Sequence, residues 1–190
     1  MKIKITILLL VVFIFSCDLF TTRDEEEPKN IGSTYVPPTT PQLLFENLKN
    51  SLSEKVIENY LASFVDSAFI NSKFKYIAAS GAAATFQTLA DWDLSAERIY
   101  INNVFSSVQN GKIILSLINE NSTPQGDSSI YFFDYSLNVP LSNPELPSVY
   151  GGSVEFVIKL DSRNQWVITT WRDIQKENLP SWSELRGRFY

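Results

Sequence analysis

The sequence of 190 residues contains no histidine, and its 16 basic residues are outnumbered by 21 acidic ones, a formal net charge of −5. The missing imidazole excludes Ser–His triads, His–Asp acid–base dyads, haem–His ligation and the common zinc sites, so no catalytic set, metal site or cofactor is assigned from the sequence. An acidic chain without a basic run is unsuited to nucleic acid, whose binding rests on phosphate neutralisation, and to electrostatic adhesion on anionic lipid.

Lys2 and Lys4 precede a run from Ile5 to Phe15 that is apolar except for Thr6, and Ile14-Phe15-Ser16-Cys17 closes it. A basic start, an apolar segment of about a dozen residues and a small residue at the cut predict a secretory signal over residues 1–16. The run is too short for a transmembrane helix, which needs about 20 apolar residues. The only cysteine stands directly after the cut. An ordinary cleaved signal would leave it as a thiol without a partner in an oxidising compartment.

These residues resemble the lipobox of bacterial lipoproteins: Ile14, Ser16 and Cys17 fit the pattern, while Phe15 is bulkier than its usual residue. The resemblance implies that Cys17 is the lipid-attachment residue. Its acyl chains would hold the protein to a membrane of the bacterial envelope, facing the periplasm, with inner and outer membrane both open. Two or three such chains give stable anchoring where one gives only marginal binding. Residues 17–40 then read as a tether, because Asp24-Glu25-Glu26-Glu27, Pro28, Gly32 and Pro37-Pro38 leave few groups to bury.

The folded domain is predicted over residues 41–190. Thr40 suits a helix cap and Pro41 the first helical position, with Leu44, Phe45, Leu48 and Leu52 on one face. Ser53 is read as the cap of a second helix carrying Val56, Ile57, Tyr60, Leu61 and Phe64. Phe74 to Ala79 reads as a short strand and Ala82 to Ala90 as a short helix. Asp93 is placed as the cap of a helix holding Leu94, Ile101, Val104 and Phe105. A strand through Ile99, Ile101 and Phe105 is the alternative for the same residues.

From Gly111 the period changes to two. Lys112 to Asn119 is a predicted strand, and Asn121-Ser122-Thr123 is read as a turn. Ser129 to Val139 sets Tyr131, Phe133, Tyr135, Leu137 and Val139 on one side and Ile130, Phe132, Asp134, Ser136 and Asn138 on the other. Val154, Phe156, Ile158 and Leu160 alternate in the next strand, and Asp161-Ser162-Arg163-Asn164 turns into Trp166 to Trp171, the clearest hairpin of the chain. Ser181 or Ser183 caps a short closing helix.

Helices first and antiparallel strands after define the α+β class, with the N-terminal helices in the concave face of a curved antiparallel sheet, a cone that resembles the cystatin-like fold. The Thr40-Pro41 start, the helices through Tyr60 and Phe64, the Trp92…Glu97…Phe105 segment and the closing hairpin together resemble the nuclear-transport-factor-2-like family. That family includes ketosteroid-isomerase-like and SnoaL-like domains. Ser181-Trp182-Ser183-Glu184-Leu185-Arg186-Gly187 also resembles uncharacterised bacterial lipoproteins of this group.

Isomerases of that resemblance use an aspartate base, with a tyrosine and a second carboxylic acid as oxyanion donors. Asp66, Asp91, Asp93 and Asp134, with Tyr60, Tyr76, Tyr100, Tyr131 and Tyr135, supply the residue types, but none matches the isomerase positions. Burial among aromatics would raise the Asp134 pKa and suit it to act as a base, whereas its strand parity puts it on a solvated face. Glu97 and Arg98 are read as a cap network with Asp91 or Asp93. Trp92, Tyr131, Phe133, Tyr135, Trp166 and Trp171 are the candidate pocket lining for an apolar or planar ligand, and at strand spacing they serve equally as core. Ile130 and Phe132 oppose Tyr131 and Phe133, a two-sided apolar strand, so a second copy is expected over the outer sheet face. The leading expectation is a non-enzymatic, lipid-anchored envelope protein that binds a ligand or a protein. The alternatives are a small-molecule isomerase or hydro-lyase and an accessory subunit of an envelope complex.

Overall fold

The computed structural model describes residues 33–176 and 178–190. The expected signal, Cys17 and most of the tether lie outside the described residues. The first helix, α1 (Pro41–Glu54), starts where the sequence places it: Thr40 is extended and its Oγ1 accepts from the Leu43 N–H at 3.3 Å. Leu44, Phe45, Leu48 and Leu52 are buried along one stripe. Ser53 lies inside this helix rather than capping a second one. The helix instead ends at Lys55 in the left-handed region (φ 58°), where the Lys55 and Val56 N–H groups close on Leu52 and Ser51 carbonyls. That stop leaves room for only a five-residue α2 (Ile57–Leu61), after which Phe64 bridges to Ile168 in parallel fashion.

Strand β1 (Lys75–Ile77) is followed by α3 (Ser80–Thr85) and a 3-10 turn over Gln87–Asp91, so the predicted alanine-rich helix is split at Phe86, whose backbone is extended. The ambiguous segment is a helix, α4 (Leu94–Ser107), with the Asp93 side chain accepting from Ala96 N–H at 2.9 Å. Four long strands follow: β2 (Ile114–Gln125), β3 (Ser128–Asn138), β4 (Val149–Leu160) and β5 (Trp166–Gln175), and the last element is α5 (Trp182–Phe189).

The sheet order is β1-β5-β4-β3-β2, antiparallel throughout except that β1 joins β5 in parallel. Asn121-Ser122-Thr123 is part of β2, paired with Phe132, Tyr131 and Ile130, and the turn falls later, at Gly126 (φ 71°). Pro124 fits this strand because β2 is an edge, where a missing N–H costs no ladder bond. Residues just ahead of α1 are tied to the domain. The Asn47 side chain clamps both the N–H (3.2 Å) and the carbonyl (2.6 Å) of Val36, and Trp166 N–H donates to the Pro38 carbonyl at 2.8 Å.

One face of the sheet turns Tyr131, Phe133, Tyr135, Leu137, Val154, Phe156, Ile158 and Trp171 onto the helices, all buried. The other face carries Phe132 and Ile174, more than a third exposed, between two ion pairs, Glu155–Arg172 and Asp134–Lys176. Asp134 stands on this outer side, as its parity predicts. Lys176, Asn119 and Ser153 all donate to its carboxylate and hold its pKa down at about 2, which overturns the idea of a burial-raised base.

Candidate functional site

Two carboxylates, Glu97 and Asp173, are buried inside the cone, between sheet and helices. Glu97 comes from the first turn of α4 and is wholly buried. Its Oε1 accepts from Tyr60 Oη at 2.5 Å and Arg186 Nη2 at 2.8 Å. Its Oε2 accepts from Trp92 Nε1 at 2.6 Å and Arg186 Nε at 3.0 Å. The cap network expected between Glu97, Arg98 and the neighbouring aspartates is therefore replaced: Glu97 turns inward to Arg186, and Arg98 pairs with Glu58 at 2.6 Å on the surface.

Arg186 is also wholly buried. Its guanidinium lies 4.1 Å from the Trp171 ring centroid and 4.4 Å from that of Tyr76, a π-lined box that suits the weakly hydrated, planar cation. Although burial opposes its charge, Glu97 and the surrounding phenols hold the Arg186 pKa above its ordinary value.

Asp173 of β5 forms the second centre. Its Oδ1 accepts from Tyr135 Oη at 2.8 Å, and its Oδ2 accepts from both the backbone N–H and the hydroxyl of Ser183. With the Ser183 proton committed to Asp173, Tyr76 must be the donor in its 2.6 Å contact with Ser183 Oγ. Tyr135 Oη in turn accepts from Trp182 N–H at 2.7 Å. Asp173, Tyr135 and Tyr76 thereby hold the first turn of α5 in place. Desolvation is the main cause that raises the pKa values of Tyr60, Tyr76, Tyr100 and Tyr135, and all four are neutral phenols at ordinary pH.

The predicted pocket residues separate into three groups. Trp92, Tyr135 and Trp171 are buried, and Trp171 packs edge-on to Phe156 and Trp182 with centroids 4.8 and 4.6 Å apart. Helix α5 sets Trp182, Leu185 and Arg186, all buried, against this aromatic group. Tyr131 and Phe133 do border a cleft of about 130 Å³, together with Phe45, Leu117 and Glu120. Trp166 is half-buried at the start of β5, tied by its backbone to Pro38.

A cleft wider than the one beside Tyr131 and Phe133 was not foreseen. It measures about 650 Å³ and runs between the loop after α2 and the start of α4, bordered by Tyr35, Glu58, Val65, Arg98, Ile99 and Arg163. The loop residues concerned carry no periodic pattern, so no sequence signal marks them. Among the described residues no three His, Cys, Asp or Glu side chains converge as a metal site.

Chemically, the interior offers two carboxylate–tyrosine pairs, Tyr60–Glu97 and Tyr135–Asp173. Glu97 accepts four hydrogen bonds and Asp173 three, all from the chain itself, and no surface cleft named above reaches either one. The arrangement stabilises a closed core.

No protein-family model and no curated protein matches the chain. Solved structures do share its architecture. A protein of unknown function with a cystatin-like fold from Nostoc punctiforme superposes with a TM-score of 0.50 at 14% identity, covering 73% of this chain and 90% of that one. A nuclear-transport-factor-2-like protein of unknown function from Pseudomonas putida gives a TM-score of 0.51 at 13% identity, covering 72% and 86%. These likenesses identify the fold as the cystatin-like, α+β cone predicted from the element order.

Proposed function

We propose that this is a lipid-anchored cell-envelope protein whose cone domain works by binding rather than by catalysis. The observation that carries the non-catalytic reading is the filling of the cone by α5. Trp182 and Arg186 are wholly buried there, and Arg186 pairs with Glu97, one of the two interior carboxylates. Binding then falls to the surface, where the cleft of about 650 Å³ beside Tyr35, Arg98 and Arg163 offers a mixed apolar and charged lining. Lipid attachment at Cys17 rests on the sequence of residues 1–17.

A specific observation favours a second reading. The Tyr135–Asp173 pair at 2.8 Å has the composition of an isomerase or hydro-lyase acid–base pair. Such an enzyme would have to withdraw α5 to admit substrate.

Membrane fractionation tests the address: the parent chain is expected with the membranes, and Cys17→Ser in the soluble fraction. Intact mass of the mature N-terminus should show acyl chains on Cys17; a bare thiol there would end the anchored reading.

A further inference from the structure

We infer that two copies of this chain pair through the open edge of β2, strand to strand, about a two-fold axis at Ser116. Strand β2 is the outermost of the sheet, and the opposite edge, β1, is only three residues long. Among the described residues no loop or cap backbone hydrogen bond reaches Ile114–Ile118, so the outward N–H and C=O groups of that stretch stand free. An exposed edge of this kind is a template for another strand unless charge, proline or a bulge blunts it.

Here the blunting devices lie outside one short window. Gly111 (φ 89°) turns the chain before it, and the register breaks between Ile118 and Asn121, where Asn119 is left-handed (φ 55°). Pro124 follows further along. Between these limits the strand pairs regularly with β3, from Ile114 opposite Asn138 to Ile118 opposite Asp134. The window holds no charge and no proline.

Its sequence is Ile114-Leu115-Ser116-Leu117-Ile118, which reads identically in both directions. Antiparallel self-pairing centred on Ser116 sets Ile114 opposite Ile118 of the second copy, Leu115 opposite Leu117, and Ser116 opposite itself. The faces agree as well, because a two-fold axis perpendicular to the sheet keeps each copy's outer face on the same side. Ile114 and Ile118 lie on that outer face and are 60% and 56% exposed, the two most exposed large apolar side chains among the described residues. Leu117 borders the cleft of about 130 Å³ beside α1, so Leu115 of the second copy is carried towards its mouth. Each apolar residue thus meets an apolar one across the new ladder. Continuing outward, the same pairing brings Lys112 of each copy towards Glu120 of the other, both of them exposed. The second copy anticipated over the outer sheet face is placed instead beside its edge, in one continuous sheet.

Cysteine cross-linking in the full chain tests this, with the parent chain, whose only cysteine is Cys17, as background. Paired Cα atoms across an antiparallel ladder lie about 4.5–5.5 Å apart, within disulfide reach. Mild oxidation of Ser116→Cys should give a dimer band at least ~10-fold above that of Ile114→Cys, whose own two copies sit about 13 Å apart along the strands. Mixing Ile114→Cys chains with Ile118→Cys chains should restore the band. Equal cross-linking at Ser116 and Ile114, or a stronger band from Phe132→Cys on the outer face, would overturn the edge pairing. Sedimentation in detergent gives an independent readout that does not need a new thiol. The parent is expected as a dimer and Ser116→Lys as a monomer with unchanged circular dichroism; a monomeric parent would equally overturn it.

Discussion

Arg186 and Glu97, separated by 89 residues in sequence, meet in the centre of the cone through a two-point ion pair in which neither side chain touches solvent. Breaking a buried pair on one side leaves an uncompensated charge, which costs about 3–5 kcal/mol, whereas replacing both partners by apolar groups is often close to neutral. Arg186→Met and Glu97→Gln should each lower the urea midpoint sharply. Arg186→Met combined with Glu97→Leu should recover a large part of the loss, and a double variant no better than the singles would show that the pair contributes more than charge balance.

Asp173 sits at the hinge between sheet and last helix. Asp173→Asn replaces one acceptor oxygen by an amide donor facing Tyr135 or Ser183, so donors oppose donors in a buried site. Lost hydrogen bonds to a charged acceptor are worth about 1.5–3 kcal/mol each. The expected outcome is local: faster amide exchange over residues 182–189 and new protease cleavage near residues 178–181, ahead of global unfolding. Uniform exchange across the domain would contradict it.

Gly187 lies in α5 where the helix meets Phe86, and a Cβ there would come within 2.3 Å of the ring. Gly187→Ala should destabilise by about 1–3 kcal/mol through overpacking, despite alanine's better helix propensity. Phe86→Leu in the same chain should relieve much of that cost, as read by thermal melting of the two variants.

Asp134 couples the outer face to acid. Its folded-state pKa of about 2 lies below the ordinary 3.8, so the unfolded chain binds the proton first as pH falls. The contribution is therefore complete above about pH 4 and is lost between there and about pH 2. Asp134→Asn should lose stability at pH 6 and flatten the acid limb over that window. An unchanged limb in urea titrations at pH 5 and pH 2 would remove Asp134 from the account.

The sheet and its helices were legible because their signals are periodic. Tyr131 to Val139 alternate and are alternately buried, and Thr40-Pro41 and Asp93 are caps whose chemistry is local. Lys55 was not legible, since only the tertiary contact of its Nζ with the Val108 carbonyl and the left-handed stop explain why α2 is short. The interior site was half-visible. Leu94, Glu97, Ile101 and Val104 form a helical stripe, as do Trp182, Leu185, Arg186 and Phe189, and each stripe has one charge of opposite sign among apolar neighbours. That mismatch was a signal for a buried pair, but sequence distance hid that the two stripes face each other. Trp92 and Trp171 were marked for a pocket because aromatic residues look the same whether they hold a ligand or another side chain. Their actual neighbours, Glu97 beside Trp92 and Trp182 beside Trp171, are brought to them by tertiary packing.

The order of elements along the chain has a consequence for how the molecule is made. Residues 182–189 follow every strand of the described residues, so a polypeptide emerging N-terminus first holds Glu97 without its counter-ion and Trp171 without its cover until α5 arrives. The interior of the domain therefore cannot close before its four long strands have been made, and its folding rests on a contact between distant parts of the chain.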